Sequence, residues 1–370
     1  MSEPLVPTHL REAIAGDRAA ADLRRAVPVI LRGDGAALLV APAELVETAW
    51  LERLRRVGRL RILLTRERAA VLKMPHKGRA AVAIAAASSM TAAAIRAIAD
   101  PTRDLLVPLK GPFAIIDAEP RAIDLAALSL LRRARLLPAA VAVPLAEDRA
   151  AALAAECGLL LVDAAAIAAA GEETALRLDV VADARLPLAD APAGRLVAFR
   201  PADGGSEHFA LLLGDPAPAR PVLVRLHSEC FTGDVLGSLK CDCGTQLREA
   251  LRVIEAAGGG ILLYLAQEGR GIGLVAKLKA YALQDQGFDT MDANLRLGFA
   301  GDERVFAPAA AMLRALGFSR VRLLTNNPDK VRGLAAAGIA VTERVPHHFP
   351  ANEHNAHYLA TKRDRSGHIL

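Results

Sequence analysis

The chain alternates short apolar runs of strand length with helical patterns, and this alternation constrains its fold more than any other feature. In the first half the apolar runs lie at residues 36–40, 60–64, 139–143 and 159–162, and a helical stretch lies at residues 150–155. Strands that alternate with helices are typical of α/β domains. With 370 residues, 53% of them hydrophobic, the chain is long enough for two cores. We predict an α/β protein of two domains, each a mixed sheet with flanking helices.

A less regular stretch separates the two halves. Between residues 176 and 219 the chain contains Pro187, Pro192, Pro201, Pro216, Pro218 and the turn-forming sequence Asp203-Gly204-Gly205. We place the domain boundary near residue 175 and expect short antiparallel strands in the rest of this stretch. From residue 221 the pattern predicts strands at 222–226, 260–265 and 321–324, and helices at 245–257, 274–286 and 307–316. Polar clusters follow these strands, at the edge where open α/β sheets bind ligands.

The charge balance argues against nucleic acid as the main partner. Lys and Arg number 46 against 41 acidic residues, which gives a net charge of +5 without a basic tail or stripe. An anionic small molecule fits this composition as well. The most apolar run, residues 80–95, meets Arg96 before the ~20 residues that a membrane span needs, so we predict a buried or half-buried helix. The N-terminus lacks a basic segment followed by an apolar one, so we expect a cytoplasmic protein with no membrane partner.

Three of the four cysteines predict a metal site. Cys230, Cys241 and Cys243 lie within 14 residues, while Cys157 stands alone. Zinc prefers thiolate ligands, and three protein ligands leave a fourth position for the water of a catalytic site. A closed structural site, with His227 as the fourth ligand, is the alternative. In a catalytic site, zinc lowers the pKa of bound water to about 7, so that hydroxide can attack an electron-poor carbon.

A glycine-rich segment at residues 267–273 follows a predicted strand and opens a helix. Glycines allow backbone N–H groups to approach phosphate, and Arg270 offers a fork of donors for it. Alone this signal is weak, because such turns are common. It gains weight from three further polar segments, which are Arg225 with His227-Ser228-Glu229, Asp302-Glu303-Arg304, and Thr325-Asn326-Asn327 with Lys330.

Taken in order, these motifs resemble GTP cyclohydrolase II over about 150 residues. The resemblance is carried by residues 225–234, 241–244, 267–273, 281–287, 298–304 and 323–327. It implies the first step of riboflavin biosynthesis, in which GTP yields 2,5-diamino-6-ribosylamino-4(3H)-pyrimidinone 5′-phosphate, formate and pyrophosphate. It also implies one Zn²⁺ per subunit for the ring chemistry, Mg²⁺ with the GTP phosphates, and a homodimer.

The resemblance assigns roles to individual residues. The zinc ligands would be Cys230, Cys241 and Cys243. The nucleotide would be bound by Arg225, Leu226, His227, Ser228, Glu229, Gln246, Glu268, Gly269, Arg270, Thr290, Thr325 and Lys330. Asp302 matches the proton acceptor, Tyr281 the catalytic tyrosine, and Arg304 a nucleophile toward the α-phosphate. Since guanidinium stays protonated in proteins, Arg304 could instead act as a charge clamp on that phosphate.

The first half is similar in its order of segments to 3,4-dihydroxy-2-butanone 4-phosphate synthase, with residues 35–40 as a first strand. The metal-binding loop of that family would fall at residues 41–47, which offer only Glu44 and Glu47 as hard oxygen ligands. Its histidine-containing motif is replaced by residues 119–124, which include Asp124 but no histidine. We therefore expect residues 1–175 to be a degenerate, non-catalytic synthase-like domain, retained for dimerisation, stability or regulation, and residues 176–370 to be the cyclohydrolase domain.

Two other functions are considered. One is a divergent paralogue that acts on another nucleotide or stops at a formylated intermediate. The other is a non-catalytic, zinc-stabilised nucleotide-binding subunit, which Asp302 and Arg304 argue against because binding alone requires neither. Near the C-terminus, His347, His348, His354 and His357 lack acidic or cysteine partners at ligand spacing, so we predict that they lie on the surface or in loop packing.

Overall fold

The computed structural model describes residues 6–169, 177–202 and 204–347. The chain divides into two compact units. Unit 1 comprises Met1–Glu172 and Val275–Asp302, and unit 2 comprises Glu173–Leu274 and Glu303–Leu370. Among the described residues, each unit has one mixed sheet of seven strands with flanking helices. The prediction of an α/β protein with two mixed sheets is confirmed.

The first part of unit 1 contains seven strands and seven α-helices in the described segment 6–169. They are α1 (Thr8–Arg24), β1 (Val29–Gly33), β2 (Ala36–Pro42), α2 (Thr48–Val57), β3 (Arg61–Thr65), α3 (Arg66–Val71), β4 (Ala81–Ala85), α4 (Ala92–Ala99), β5 (Ile115–Ile116), α5 (Ala122–Arg133), β6 (Ala139–Leu145), α6 (Glu147–Cys157), β7 (Leu161–Asp163) and α7 (Ala164–Ala169). The strand order is β5-β4-β3-β6-β2-β1-β7. Only the β1–β7 pair is parallel among these neighbours, so the sheet is largely antiparallel.

Both faces of this sheet are covered. Alternate residues of the central strands enter two separate cores, with Ile30 and Leu39 in one and Leu31 and Leu38 in the other. A two-residue turn at Asp34-Gly35 joins β1 to β2, and both residues have positive φ, 55° and 68°. Such a turn matches the right-handed twist of the strands it connects. The sequence prediction missed β1 and placed the first strand at residues 35–40.

The expected helix over residues 80–95 is wrong. Val82 and Ile84 are buried in β4, which pairs with β3 on one side and β5 on the other. The Thr91 hydroxyl then accepts a hydrogen bond from the Ala94 N–H and caps α4. Alanine has the highest helix propensity, but intrinsic propensity is a weak preference, and pairing within a sheet outweighs it here.

The remainder of the described chain supplies the second sheet and two helices of unit 1. Its elements are β8 (Leu178–Arg185), β9 (Arg195–Pro201), β10 (His208–Leu213), β11 (Val222–Ser228), α8 (Phe231–Asp234), α9 (Cys243–Ala256), β12 (Gly260–Leu265), α10 (Leu274–Gln284), α11 (Thr290–Arg296), α12 (Ala307–Ala315), β13 (Arg320–Leu324), α13 (Pro328–Ala336) and β14 (Ala340–Val345). The strand order is β14-β13-β11-β12-β10-β9-β8. Strands β8 to β10 pair antiparallel, as predicted, and β11 to β14 pair in parallel.

Helices α10 and α11 depart from a simple division of the chain near residue 175. From Val275 to Asp302 the chain clusters with unit 1. On α10, Lys279 forms ion pairs with Glu44 and Asp100, and the Thr65 hydroxyl donates to the Gly298 carbonyl just after α11. The domain limits of 1–175 and 176–370 stay a prediction, and the compact units follow other limits. Every helix within the described residues is too short or too polar to span a membrane.

Candidate metal centre and active site

The candidate site of unit 2 lies at the carboxyl edge of its parallel strands. β11 ends at Ser228, β12 is followed by Glu268, and β13 is followed by Thr325, so the three polar segments meet at one edge. β10 runs antiparallel and brings its first residue, His208, to the same edge, where its Nδ1 accepts a hydrogen bond from the Ala266 N–H at 3.0 Å. The strand arrangement thus assembles residues that are more than 100 positions apart.

Three thiols form a compact cluster at this edge. The Sγ atoms of Cys230, Cys241 and Cys243 all lie within 4.8 Å of one another, and those of Cys230 and Cys241 are 3.7 Å apart. Cys230 follows β11, and Cys243 opens α9. The backbone at Gly233 lies against the cluster. A Cβ placed there would lie 2.8 Å from the Cys241 Sγ and 3.0 Å from the Cys230 Sγ, so the cluster leaves no room for a side chain at this position.

This cluster fits a metal of zinc's preferences. Tetrahedral sulfur ligands about 2.3 Å from zinc are about 3.8 Å apart, close to the spacing observed here. Hydrogen bonding from neighbouring thiols and burial raise the pKa of Cys243 well above its ordinary value, and the Cys230 thiol likewise raises that of Cys241. A bound metal cation would stabilise the thiolate form of all three cysteines, which their mutual proximity otherwise disfavours. Among the described residues, this is the one group of three His, Cys, Asp or Glu side chains so arranged, and it does not include His227.

Asp234, at the end of α8, connects the cysteine loop to the strands. Its carboxylate lies 3.0 Å from the His227 Nε2 through each oxygen. Its Oδ2 also accepts hydrogen bonds from the Tyr264 hydroxyl and from the Cys230 N–H, both at 3.0 Å. The rings of His227 and Tyr264 stack, with centroids 5.6 Å apart. Burial lowers the pKa of His227, although Asp234 opposes the shift, so the ring is neutral at neutral pH.

Arg225 is the buried cation of β11. It donates from Nη1 to the Leu324 carbonyl at 3.1 Å and from Nη2 to the Gln246 Oε1 at 2.5 Å. Gln246 in turn donates to Asp242, which stands between two of the cysteines. Burial lowers the pKa of Arg225 to about 10, and Asp242 partly offsets this shift. The guanidinium therefore stays charged at neutral pH and is held in a fixed orientation.

The glycine-rich segment forms a tight turn beside the cysteine loop. The Glu268 carboxylate accepts hydrogen bonds from the Phe231 N–H at 2.6 Å and the Gly269 N–H at 2.8 Å. Gly269 and Arg270 both have positive φ, 64° and 62°, which is unusual for arginine. The Arg270 carbonyl accepts from the Glu303 N–H at 3.1 Å. Glu268 thus fixes the loop that follows Cys230, and the 303 segment fixes the turn.

The third strand end contributes Lys330, Thr325 and Asn326. Lys330 is buried and its Nζ donates to the Leu226 carbonyl at 2.7 Å. The Thr325 hydroxyl accepts from the Asn327 N–H at 3.0 Å. Asn326 exchanges two hydrogen bonds with the backbone of His347, donating at 2.6 Å and accepting at 2.9 Å.

His347 corrects one expectation. Of the two positions predicted for it, the surface and loop packing, the surface is wrong, because His347 is 5% exposed and Asn326 holds its backbone at the strand ends. Burial, together with the charges of Arg225 and Lys330, lowers its pKa to about 3. His348, His354 and His357 lie outside the described residues.

The predicted site residues divide between the two units. Three of them, Tyr281, Thr290 and Asp302, belong to unit 1. The others belong to unit 2, and they are Arg225 to Cys230, Cys241, Cys243, Gln246, Glu268 to Arg270, Arg304, Thr325 and Lys330. In unit 1, the Lys277 Nζ lies 5.7 Å from the centre of the Tyr281 ring, and the Thr290 hydroxyl accepts from the Gln284 amide at 3.1 Å. Asp302 is exposed, while Arg304 is half-buried. The functional roles of these residues stay predictions.

The sequence interpretation gave no role to Asp234, Tyr264 or Asp242. A signal existed for Asp234, since it lies four residues after Cys230 and one turn of helix brings such residues together. Tyr264 lies in a buried strand that looked entirely structural. Only the pairing of β11 with β12 sets it opposite His227.

In the first half, two of the three carboxylates considered for a metal are engaged by cations. Glu44 pairs with Lys279 and accepts from the Leu137 N–H at 2.6 Å. Asp124 pairs with Arg61 and accepts from the Arg121 N–H at 3.0 Å. Glu47 is exposed at the start of α2. Residues 6–169 contain no group of three metal-ligating side chains.

Comparison with known proteins places this arrangement in context. The model of the family described as GTP cyclohydrolase II matches residues 179–346. A GTP cyclohydrolase-2 of Azospirillum brasilense is 48% identical over 100% of this chain and 97% of its own length. Another, from Xylella fastidiosa strain Temecula1, is 40% identical over 96% of this chain and 87% of its length. A solved two-domain 3,4-dihydroxy-2-butanone 4-phosphate synthase from A. baumannii matches with a TM-score of 0.33 and 17% identity, covering 90% of this chain and 99% of that one.

Proposed function

Because this chain belongs to the GTP cyclohydrolase II family, and is thus a hydrolase of riboflavin biosynthesis, we propose that it converts GTP to 2,5-diamino-6-ribosylamino-4(3H)-pyrimidinone 5′-phosphate, formate and pyrophosphate. The observation that carries the proposal is the cluster of three thiols at a strand edge that also holds two buried cations, Arg225 and Lys330. A soft-metal site beside positive charge suits a nucleotide that is attacked in its ring.

Zinc held by Cys230, Cys241 and Cys243 would supply Lewis-acid activation of water for attack on an electron-poor ring carbon. The protein's own contribution begins with orientation. Asp234 fixes the Cys230 loop and His227 together, and Glu268 fixes the next residue of that loop through the Phe231 N–H. The ligands of the metal are therefore held before substrate arrives.

Nucleotide binding is assigned to the polar strand ends. The Ser228 Oγ and Gln267 Oε1 are buried, and neither has a hydrogen-bond partner among the described residues, so both can receive a ligand group. Arg225 and Lys330 are charged and oriented by the protein, which suits an anionic ligand. Arg270 and the backbone of the turn around it are proposed to bind the phosphates together with Mg²⁺.

Three residues are proposed to act in the reaction itself. Asp302 would accept a proton, and the hydroxyl of Tyr281 would assist the step after addition to the ring. We assign Arg304 as a clamp on the α-phosphate, because a guanidinium that stays protonated is a poor nucleophile. Residues 1–175 are proposed to be non-catalytic, which the cation partners of Glu44 and Asp124 support.

The purified full-length protein, incubated with GTP, Mg²⁺ and Zn²⁺, tests the proposal. We expect formate and pyrophosphate in equal amounts, no activity in Cys241→Ser, and unchanged activity in Cys157→Ser, whose exposed thiol lies outside the cluster. Binding of GTP with neither product would reject the proposal in favour of a nucleotide-binding subunit. Release of one product alone, or turnover only with another nucleotide, would favour a divergent paralogue.

A further inference from the structure

We infer that the N-terminal part of unit 1 positions helices α10 and α11 for the cyclohydrolase reaction, and that Lys279 is the principal positioning residue. The inference rests on the proposed function, since Tyr281, Thr290 and Asp302 take their roles from it. It gives the N-terminal half of the chain a purpose in catalysis, although residues 6–169 contain no group of three metal-ligating side chains.

The Lys279 ammonium joins α10 to two carboxylates of the N-terminal segment. Its Nζ lies 3.0 Å from the Glu44 Oε2 and 2.7 Å from the Asp100 Oδ2. The three side chains are between 10% and 22% exposed, so solvent screens this cluster only partly. Burial by itself would lower the pKa of Lys279, but the two carboxylates outweigh it and the pKa is raised.

Both carboxylates are fixed independently of Lys279. The Glu44 Oε1 accepts from the Leu137 N–H at 2.6 Å, so only its second oxygen faces Lys279. Asp100 accepts from the N–H and the hydroxyl of Thr102, at 3.0 Å and 2.8 Å. The positions of the two carboxylates are therefore set by Leu137 and Thr102 and not by Lys279, as a positioning contact requires.

A second attachment holds the far end of the segment. After α11, Gly298 has φ of +87°, and its carbonyl accepts from the Thr65 hydroxyl at 2.9 Å. A Cβ at Gly298 would lie 2.9 Å from that hydroxyl oxygen, so the approach is closer than any residue with a side chain would allow. Nearby, Arg296 lies 3.8 Å from Asp104, which Arg68 binds through two hydrogen bonds of 2.8 Å. The segment is thus held at its beginning and at its end.

The held segment carries three of the residues assigned to the reaction. Tyr281 follows Lys279 by two positions on α10, and residues two apart on a helix point about 200° away from each other. Lys279 can thus bind the N-terminal segment while Tyr281 faces elsewhere. Thr290 begins α11, and Asp302 ends the segment. Because a displacement of about 1 Å in a reacting group can cost a hundredfold in rate, loss of these contacts should affect turnover.

The test compares full-length variants by formate and pyrophosphate release. Lys279→Met should lower kcat/KM ten- to a hundredfold, with the zinc content of the wild type. Lys279→Arg, which keeps a cation, should recover most of the activity. The double variant Glu44→Gln with Asp100→Asn should lose activity in the same direction. Arg32→Met is the matched control, because it breaks an exposed ion pair with Asp163 elsewhere in unit 1.

A coupling measurement separates positioning from general destabilisation. In the Tyr281→Phe background, Lys279→Met should cost less than threefold, because the group that it positions has already been removed. Fully additive losses, or a Lys279→Met enzyme within twofold of wild type, would overturn the inference. If Lys279→Met does not fold, the carboxylate double variant decides by the same criteria. An inactive wild type would instead reject the proposed function, and would be seen before any variant is made.

Discussion

Replacing Asp234 by asparagine tests how the metal site is held. The carboxylate receives the Cys230 N–H and the Tyr264 hydroxyl on Oδ2, and contacts the His227 Nε2 through both oxygens. An asparagine of the same shape keeps a single acceptor oxygen. If that oxygen serves Cys230 and Tyr264, its amide group faces His227 and must donate to it, which requires the ring to carry its proton on Nδ1.

The expected magnitude follows from these contacts. The variant loses one charged acceptor, and hydrogen bonds to charged groups contribute about 1.5–3 kcal/mol. The residue does not bind the metal itself, so the loss should appear as a weaker hold on the Cys230 loop. Removing a group that orients a metal ligand lowers metal affinity by about 10- to 100-fold, or roughly 1.4–2.7 kcal/mol, which agrees with the first figure.

Competition with a chromophoric zinc chelator at neutral pH measures this affinity, and formate release at saturating zinc measures the remaining activity. Asp183→Asn, which removes one side of an exposed ion pair with Arg195 in the same unit, serves as the control. We expect Asp234→Asn to bind zinc more weakly, while excess zinc restores part of the activity. Wild-type zinc affinity in Asp234→Asn would refute the view that this carboxylate holds the cysteine loop.

Three further predictions concern the same unit. Gly233→Ala should release zinc, because its Cβ would lie 2.8 Å from the Cys241 Sγ and 3.0 Å from the Cys230 Sγ, and zinc content after gel filtration measures this. His347, whose pKa of about 3 lies below the ordinary 6.5, stabilises the fold fully above pH 6.5 and loses this contribution as the pH falls toward 3. It should therefore cost the wild type about 1.4 kcal/mol of unfolding free energy at pH 5.5. Denaturant titration should find the pH-dependent loss smaller by this amount in His347→Asn, which keeps the contribution of His227. Arg304→Gln should lower kcat about a hundredfold and Arg304→Lys less, and equally inactive variants would contradict the clamp role.

The sequence predicted the strands and the cysteine cluster of the candidate site, because the patterns that indicate them are local in sequence. The runs at 222–226 and 260–265 are apolar enough to mark buried strands, and the structure places strands at both. The spacing of Cys230, Cys241 and Cys243 predicted a metal site, and their thiols do form one cluster. In each case the deciding information lies within about a dozen neighbouring residues.

The features that were missed depend on contacts distant in sequence. The run at 80–95 has the composition of a helix, and only β3 and β5 make its first part a strand. His347 lies in a histidine-rich segment that suggested the surface or loop packing, and the contact that holds its backbone comes from Asn326, 21 residues earlier. From the sequence, helices α10 and α11 are expected to belong to the second half, because no residue near Lys279 indicates that its side chain pairs with Glu44 and Asp100. Local propensity carries no information about such partners.

The interleaving of the two units has a consequence for synthesis on the ribosome. Unit 1 begins with the first residues of the chain, but its last segment, Val275–Asp302, is made only after the first half of unit 2. At about 5–20 residues per second, the interval between residues 172 and 302 is on the order of ten seconds. For most of that time Glu44 and Asp100 are present without Lys279, and Thr65 without the Gly298 carbonyl. The nascent N-terminal half must therefore stay soluble with these polar groups hydrated, and it reaches its final packing only when the helices of the later segment emerge.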